Sequence, residues 1–161
     1  MVSSVNPPPL QVPPVFLKDR LTQAFFSGLI NTIYQLWTST FQIRTTTKVL
    51  TTDATVTAAL RIPIASGHTS MITANIVGRR TGGAGAGVVG ESAWYQLAGA
   101  YKNVGGVLTG IGSPSLSGGE DVAGWNVGFS SSGQEALVTV QGVASVNISW
   151  VSTVSVYDVG A

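Results

Sequence analysis

Apolar positions follow different rules in different parts of this 161-residue chain. From residue 53 to the end they alternate with polar ones at a period of two, the pattern of strands buried on one face. Ala54, Val56, Ala58, Leu60, Ile62 and Ile64 share one side of the first such stretch. Thr55, Thr57, Arg61 and Pro63 share the other, and Pro63, which cannot donate to a ladder, places that strand at an edge or near its end. Further strands are expected near 71–80, 92–101, 106–111, 125–129, 137–141 and 146–156. In the third, Ala93, Tyr95 and Leu97 alternate with Trp94, Gln96 and Ala98. Ser66-Gly67-His68 and residues 130–133 read as turns, the glycine-rich stretch 81–90 as a mobile loop, and Ser113–Gly119 as a Ser/Gly/Pro loop. About seven strands with turns between them, and nothing resembling βαβ units, predict an antiparallel β-sandwich or jelly roll over 53–161.

A different rule governs residues 16–39. Leu17, Leu21, Phe25, Leu29 and Ile33 recur every four residues, and Phe26, Ile30, Tyr34 and Trp37 form a neighbouring row. This is a helix whose apolar stripe is wider than the ~100° that one packing surface covers. One small β-domain buries one side of such a helix. A bundle of identical helices would bury the rest, with Leu21, Phe25, Leu29, Ile33 and Trp37 as the oligomerisation residues. Gly28 and Asn31 interrupt a strict heptad, so a helix packed only on its own domain is the competing reading.

Residues 1–15 obey neither rule. Pro7, Pro8, Pro9, Pro13 and Pro14 lack N–H groups and hold φ near that of polyproline, which excludes helix and favours an extended arm. Leu10, Val12 and Val15 stud it, and Phe16 follows. A plain spacer would carry Ser or Glu there, so the arm reads as a docking peptide rather than a loose end. Residues 40–52 hold six threonines and read as an extended connector between helix and β-domain.

Charge changes this picture by its scarcity. Only 9% of residues are charged, against about a quarter in an average domain, and the net charge is +1. The balance gives no basic face of the kind nucleic acid requires. With no Cys, a disulfide scaffold, a thiolate metal site and a cysteine nucleophile are excluded. In place of charge stand 20 Gly, 17 Ser and 17 Thr. The N-terminus lacks the basic-then-apolar pattern of a signal peptide, and no run approaches the ~20 apolar residues of a membrane helix, so no membrane insertion is expected.

Candidate chemistry is thin. His68 is the one histidine, so a Ser-His-Asp arrangement would have to use it, yet it lies in an apparent turn. A glycosidase would need two of Asp53, Glu91, Glu120, Asp121, Glu135 and Asp158 facing each other. Glu120 and Asp121 are adjacent, which in a strand turns them to opposite faces. They would be the place for calcium, but the ligand-dense spacing of a calcium loop is missing. Gly82–Gly87 has the glycines of a phosphate loop without its Lys-Ser/Thr or its strand-to-helix setting. Arg79-Arg80 reads as a solvated strand end, or as a pair for Glu91 of a neighbouring subunit. No catalytic residue, metal ligand or cofactor site is assigned, and no enzyme activity is expected. Trp94, Tyr95 and Trp125 would stack on sugar rings if exposed, although aromatics of β-domains serve more often in cores.

Two stretches resemble known proteins. Asn6-Pro7-Pro8-Pro9 to Pro14, Phe16-Leu17-Lys18-Asp19, Phe25-Phe26 and Ile33-Tyr34-Gln35-Leu36-Trp37-Thr38 resemble the N-termini of small tailed-bacteriophage virion proteins of the tail-fibre, collar and baseplate type. Gly78-Arg79-Arg80-Thr81-Gly82-Gly83, Glu91 to Ala100, Ala123-Gly124-Trp125-Asn126-Val127, Glu135 to Gly142 and Ile148 to Val154 resemble the β-rich distal domains of phage fibres. The resemblance implies a homotrimer in the virion, attached to other virion proteins through Pro7–Pro14 and Phe16, with a helical bundle and a distal β-domain. The chain has no repeated shaft, so a short fibre, collar or baseplate appendage fits its length. Recognition of bacterial surface glycan by the β-domain is the alternative role.

Overall fold

The computed structural model describes residues 26–30 and 42–160, with side chains from residue 44 onward in the second stretch. The chain divides into two compact units, Met1–Phe41 and Gln42–Ala161. In the first, residues 26–30 are helical, and Leu29 is 43% exposed. The proline arm and the other helix residues, Leu21, Phe25, Ile33 and Trp37 among them, lie outside the described residues. Among those described, no helix is long and apolar enough to cross a membrane.

The second unit is mainly β, as the alternation predicts. Its strands are β1 (Gln42–Thr51), β2 (Val56–Pro63), β3 (His68–Gly82), β4 (Ser92–Val104), β5 (Val107–Glu120), β6 (Asn126–Ser132), β7 (Glu135–Gln141) and β8 (Asn147–Gly160). They form a five-stranded sheet, β1-β8-β3-β4-β5, and a three-stranded sheet, β2-β7-β6. Every pairing is antiparallel.

Two segments depart from the sequence reading. The threonine-rich connector is strand β1, paired with β8 from Gln42↔Tyr157 to Thr51↔Ile148. β-Branched residues suit a pleated ladder, so a threonine run that looks like a linker takes an edge position. Ser113–Gly119, expected as a loop, is the second half of β5 and pairs with β4 beyond a register shift at Ala98/Ala100. That edge strand is exposed along nearly its whole length, which removes the apolar alternation that marks a strand.

The two sheets share one core. β3 shows the cleanest pattern, with Ser70, Ile72, Ala74, Ile76, Gly78 and Arg80 inward and the residues between them outward. Trp150 of β8 is fully buried, as are Ile72, Ile76, Ile148, Val154, Val138 and Val140. Gly78 pairs with Trp150 in register, and a Cβ there would come within 2.6 Å of the indole. A glycine is therefore needed to seat the largest core side chain. β7, central in its sheet, is buried on both faces, hence its unbroken run Ala136-Leu137-Val138-Thr139-Val140.

Candidate functional site

The outward face of the five-stranded sheet is the surface on which unusual side chains collect. Register aligns its residues into rows that cross the strands. One row runs Lys48–Val151–Val77–Trp94–Gly119. A second joins Tyr157, Met71, Ala100 and Ile111. Between them lie two polar rows, Thr46–Thr153–Asn75–Gln96–Ser117 and Arg44–Ser155–Thr73–Ala98–Ser115. The apolar rows are open to solvent: Val77 is 55% exposed, Trp94 51%, Met71 49% and Tyr157 48%. Large apolar side chains gathered on one face of a folded domain mark an interaction surface.

The polar rows are organised. Thr46 and Thr153 share a 3.3 Å hydroxyl bond, and Gln96 Nε2 donates to Asn75 Oδ1 at 3.0 Å. The amides and hydroxyls of Thr73, Asn75, Gln96, Ser115 and Ser117 line a shallow depression of about 380 Å³ over β3, β4 and β5. Trp94 stands in the row beside it, its indole Nε1 3.2 Å from where a Cβ on Gly119 would lie. Glycine on the adjoining edge strand thus leaves room for the ring.

Of the three aromatic residues singled out for sugar stacking, the structure presents only Trp94. Tyr95 and Trp125 are 7% and 4% exposed and pack in the core, with Trp125 edge-on to Trp150 at 5.6 Å between ring centroids. The phase of β4 decides this, since Ala93, Tyr95 and Leu97 turn inward together and Trp94 and Gln96 outward. The Tyr95 hydroxyl donates to Glu120 Oε2 at 2.9 Å and lies 3.1 Å from the Trp125 carbonyl. Burial, then the hydrogen bond and the charge of Glu120, raise the Tyr95 phenol above its ordinary range. Glu120 also accepts the Trp125 N–H, and Asp121 accepts the Ser92 N–H. The adjacent acids thus hold loop backbone.

Arg79 and Arg80 part company for the same reason of phase. Arg79 is exposed on the outward face, whereas Arg80 is 3% exposed. Its guanidinium pairs with Glu91 at 3.1 Å within the chain and donates to the carbonyls of Gly82, Gly83, Gly85 and Ala86. The glycine-rich loop expected to be mobile is wrapped around this one side chain. At the opposite end of the sheet His68, at the start of β3, has its Nδ1 2.6 Å from Asp158 Oδ2, and Ser70 donates to the other carboxylate oxygen. The carboxylate sits between serine and histidine, so no imidazole faces the serine hydroxyl and the order of a Ser-His-Asp triad is not met. Among the described residues, no three His, Cys, Asp or Glu side chains come together as metal ligands.

The outward residues not foreseen are Arg44, Lys48, Asn75, Gln96, Lys102 and Thr153. Their signal was the same alternation, visible once 42–51 is read as a strand.

No protein-family model matches the chain, and no curated protein matches it in sequence. Among solved structures it is similar to the tailspike protein of Acinetobacter baumannii phage AM24, at 12% identity over 73% of this chain and 27% of that one, with a TM-score of 0.41. It is similar to the tailspike protein of Acinetobacter phage vB_ApiP_P1, at 16% identity over 74% and 21%, with a TM-score of 0.30. A third is a tailspike of Acinetobacter baumannii bacteriophage Fri1, a capsular polysaccharide depolymerase, at 14% identity over 77% and 21%, with a TM-score of 0.33. The chain spans about a quarter of the length of these proteins.

Proposed function

We propose that the chain is a non-enzymatic component of a tailed-phage virion. Its proline arm attaches to the particle, its apolar helix gathers a homotrimer, and its β-sandwich is displayed outward. The carrying observation is that the described residues of the β-unit bury a core of their own, while the sequence reads as an arm and an over-wide apolar helix before it. Residues 1–41 are assigned to assembly on their sequence pattern. The carboxylates support a structural reading, because Asp53, Glu91, Glu120, Asp121, Glu135 and Asp158 each accept a bond from a neighbour in the fold.

Two measurements test this. Light scattering on the full chain is expected to give about three times 16.6 kDa, and a 16.6 kDa species would overturn the trimer. Immunogold labelling of the phage that encodes the chain is expected on the tail, collar or baseplate, and unlabelled particles would overturn the virion role.

A second reading, receptor binding at the bacterial surface, is favoured by the outward sheet face. Trp94 beside a floor of amides and hydroxyls is the composition that a sugar chain needs, with an aromatic ring for its apolar face and hydrogen-bond partners for its hydroxyls.

A further inference from the structure

We propose that the outward face of the five-stranded sheet binds an acidic polysaccharide, a chain of hydroxyl-rich sugars with carboxylates at intervals. The proposal rests on the receptor-binding reading and adds the charge of the ligand and the residues that recognise it.

The argument starts from where a nearly neutral protein keeps its charges. Two of its described cations are matched within the fold, Arg61 to Glu135 at 3.0 Å and Arg80 to Glu91 at 3.1 Å. The other four, Arg44, Lys48, Arg79 and Lys102, all occupy exposed outward positions on this one sheet. Of the six described carboxylates, only Asp121 lies toward this face, at its margin just past β5. Glu91 and Glu120 bond into the inner side, Asp53 and Glu135 serve β2 and its flanks, and Asp158 faces His68 and Ser70. Asp121 continues the outward phase past Gly119, lines the same depression as Val77 and Trp94, and accepts the Ser92 N–H. Four cations against this one carboxylate leave the face with a charge of +3 on a protein of net +1.

The spacing then selects among anionic partners. Arg44 and Lys48 lie four residues apart on β1, ~13 Å by strand rise, and Arg79 is two strands away across ~10 Å of sheet. Nucleic acid presents a phosphate every ~3.4 Å of strand and is gripped through dense cationic contacts and several stacking rings. Here the cations are sparse, one tryptophan is outward, and the ground between is Thr73, Asn75, Gln96, Thr153, Ser115 and Ser117. That surface suits neutral sugars separating occasional carboxylates. A second copy of the chain fits worse, because two such faces meeting would oppose like charges.

The test uses the full chain and calorimetric titration with oligogalacturonate, oligomannuronate and hyaluronan fragments. Methyl-esterified oligogalacturonate and oligothymidylate serve as controls. At least one uronate chain is expected to bind, the ester about fivefold or more weakly than its acid, with affinity falling about tenfold from 50 to 300 mM salt. Lys48→Gln and Arg79→Gln together are expected to weaken binding about fivefold to tenfold, and Trp94→Ala about tenfold, at unchanged thermal midpoint. If the double variant fails to fold, Arg44→Gln with Lys102→Gln replaces it. Equal binding of acid and ester overturns the charge assignment and leaves the receptor reading standing. Tighter oligothymidylate binding assigns the face to nucleic acid and overturns both. No binding of any uronate overturns the inference; labelled virions would then still support the virion role.

Discussion

The two ends of the β-sandwich are closed by different chemistry. At one end the guanidinium of Arg80, inside the fold, collects the carbonyls of the 82–86 loop and the Glu91 carboxylate. At the other, the neutral amide of Asn103, fully buried, donates to the Ile64 carbonyl at 2.6 Å and to Gln134 Oε1 at 3.2 Å. His68 and Asp158 stand outside it, each about a third exposed. A loop of small residues has no side chains with which to make a core, so an ion must organise it. A loop anchored by two ladders needs only an amide. The difference predicts a graded response to removing each group.

The largest effect is expected at Arg80. Arg80→Met keeps the unbranched apolar stem of the side chain, removes the guanidinium, and strands Glu91 and the loop carbonyls. Breaking one partner of a buried pair costs about 3–5 kcal/mol. Urea unfolding should show that loss, and residues 83–90 should become protease-sensitive. Adding Glu91→Leu should restore a large part of the stability but not the protection of the loop. A loss below ~1 kcal/mol would mean that the loop holds itself and that the two ends are alike.

Asn103→Leu is expected to come next. It strands one buried carbonyl, at about 1–3 kcal/mol, with no ion left behind. If it costs as much as Arg80→Met, charge is not what separates the ends.

Tyr95→Phe probes the Arg80 end in a different way. At neutral pH it loses the bond to Glu120, about 1 kcal/mol. Above pH 10 the sign favours the variant. The folded phenol is raised above its ordinary 10.0 by burial and by Glu120, so the unfolded chain releases a proton that the native state keeps. Stability is complete below pH 10 and falls as pH rises, by up to about 1.4 kcal/mol per pH unit for one proton. Tyr101, raised by burial alone, adds to that slope. Unfolding midpoints measured from pH 9 to 11 should fall less steeply in Tyr95→Phe than in the native chain.

Much of this arrangement was written in the phase of the strands. In β3 the positions of Ile72, Ala74 and Ile76 put Arg80 inside and Arg79 outside, and in β4 Leu97 puts Tyr95 inside and Trp94 outside. What the phase could not supply was the edges. β1 offers Thr45 and Thr47 where a central strand would offer Val or Ile, and β5 is exposed on nearly every residue, so neither shows hydrophobic alternation. The rows of the binding face join residues of four or five strands, and only the order β1-β8-β3-β4-β5 brings Lys48 and Arg79 onto one surface. Pairing order depends on contacts far apart in sequence, which local pattern does not carry.

The smallest effect is expected at His68. Its ring pairs with Asp158 in a setting open to water, where such pairs contribute about 0–1 kcal/mol. The ring also lies over Gly160, where an added Cβ would come within 2.7 Å of Cε1. His68→Ala therefore removes both the hydrogen bond to Asp158 and the cover over the end of β8. Asp158 keeps its bond from Ser70, so the carboxylate is not stranded as Glu91 would be. The unfolding free energy from denaturant titration should fall by less than ~1 kcal/mol, while amide exchange of the last residues of β8 speeds up with no change near Arg80. A larger loss, or faster exchange at both ends, would show that the sandwich closes as one unit and that the contrast between its ends is only one of chemistry.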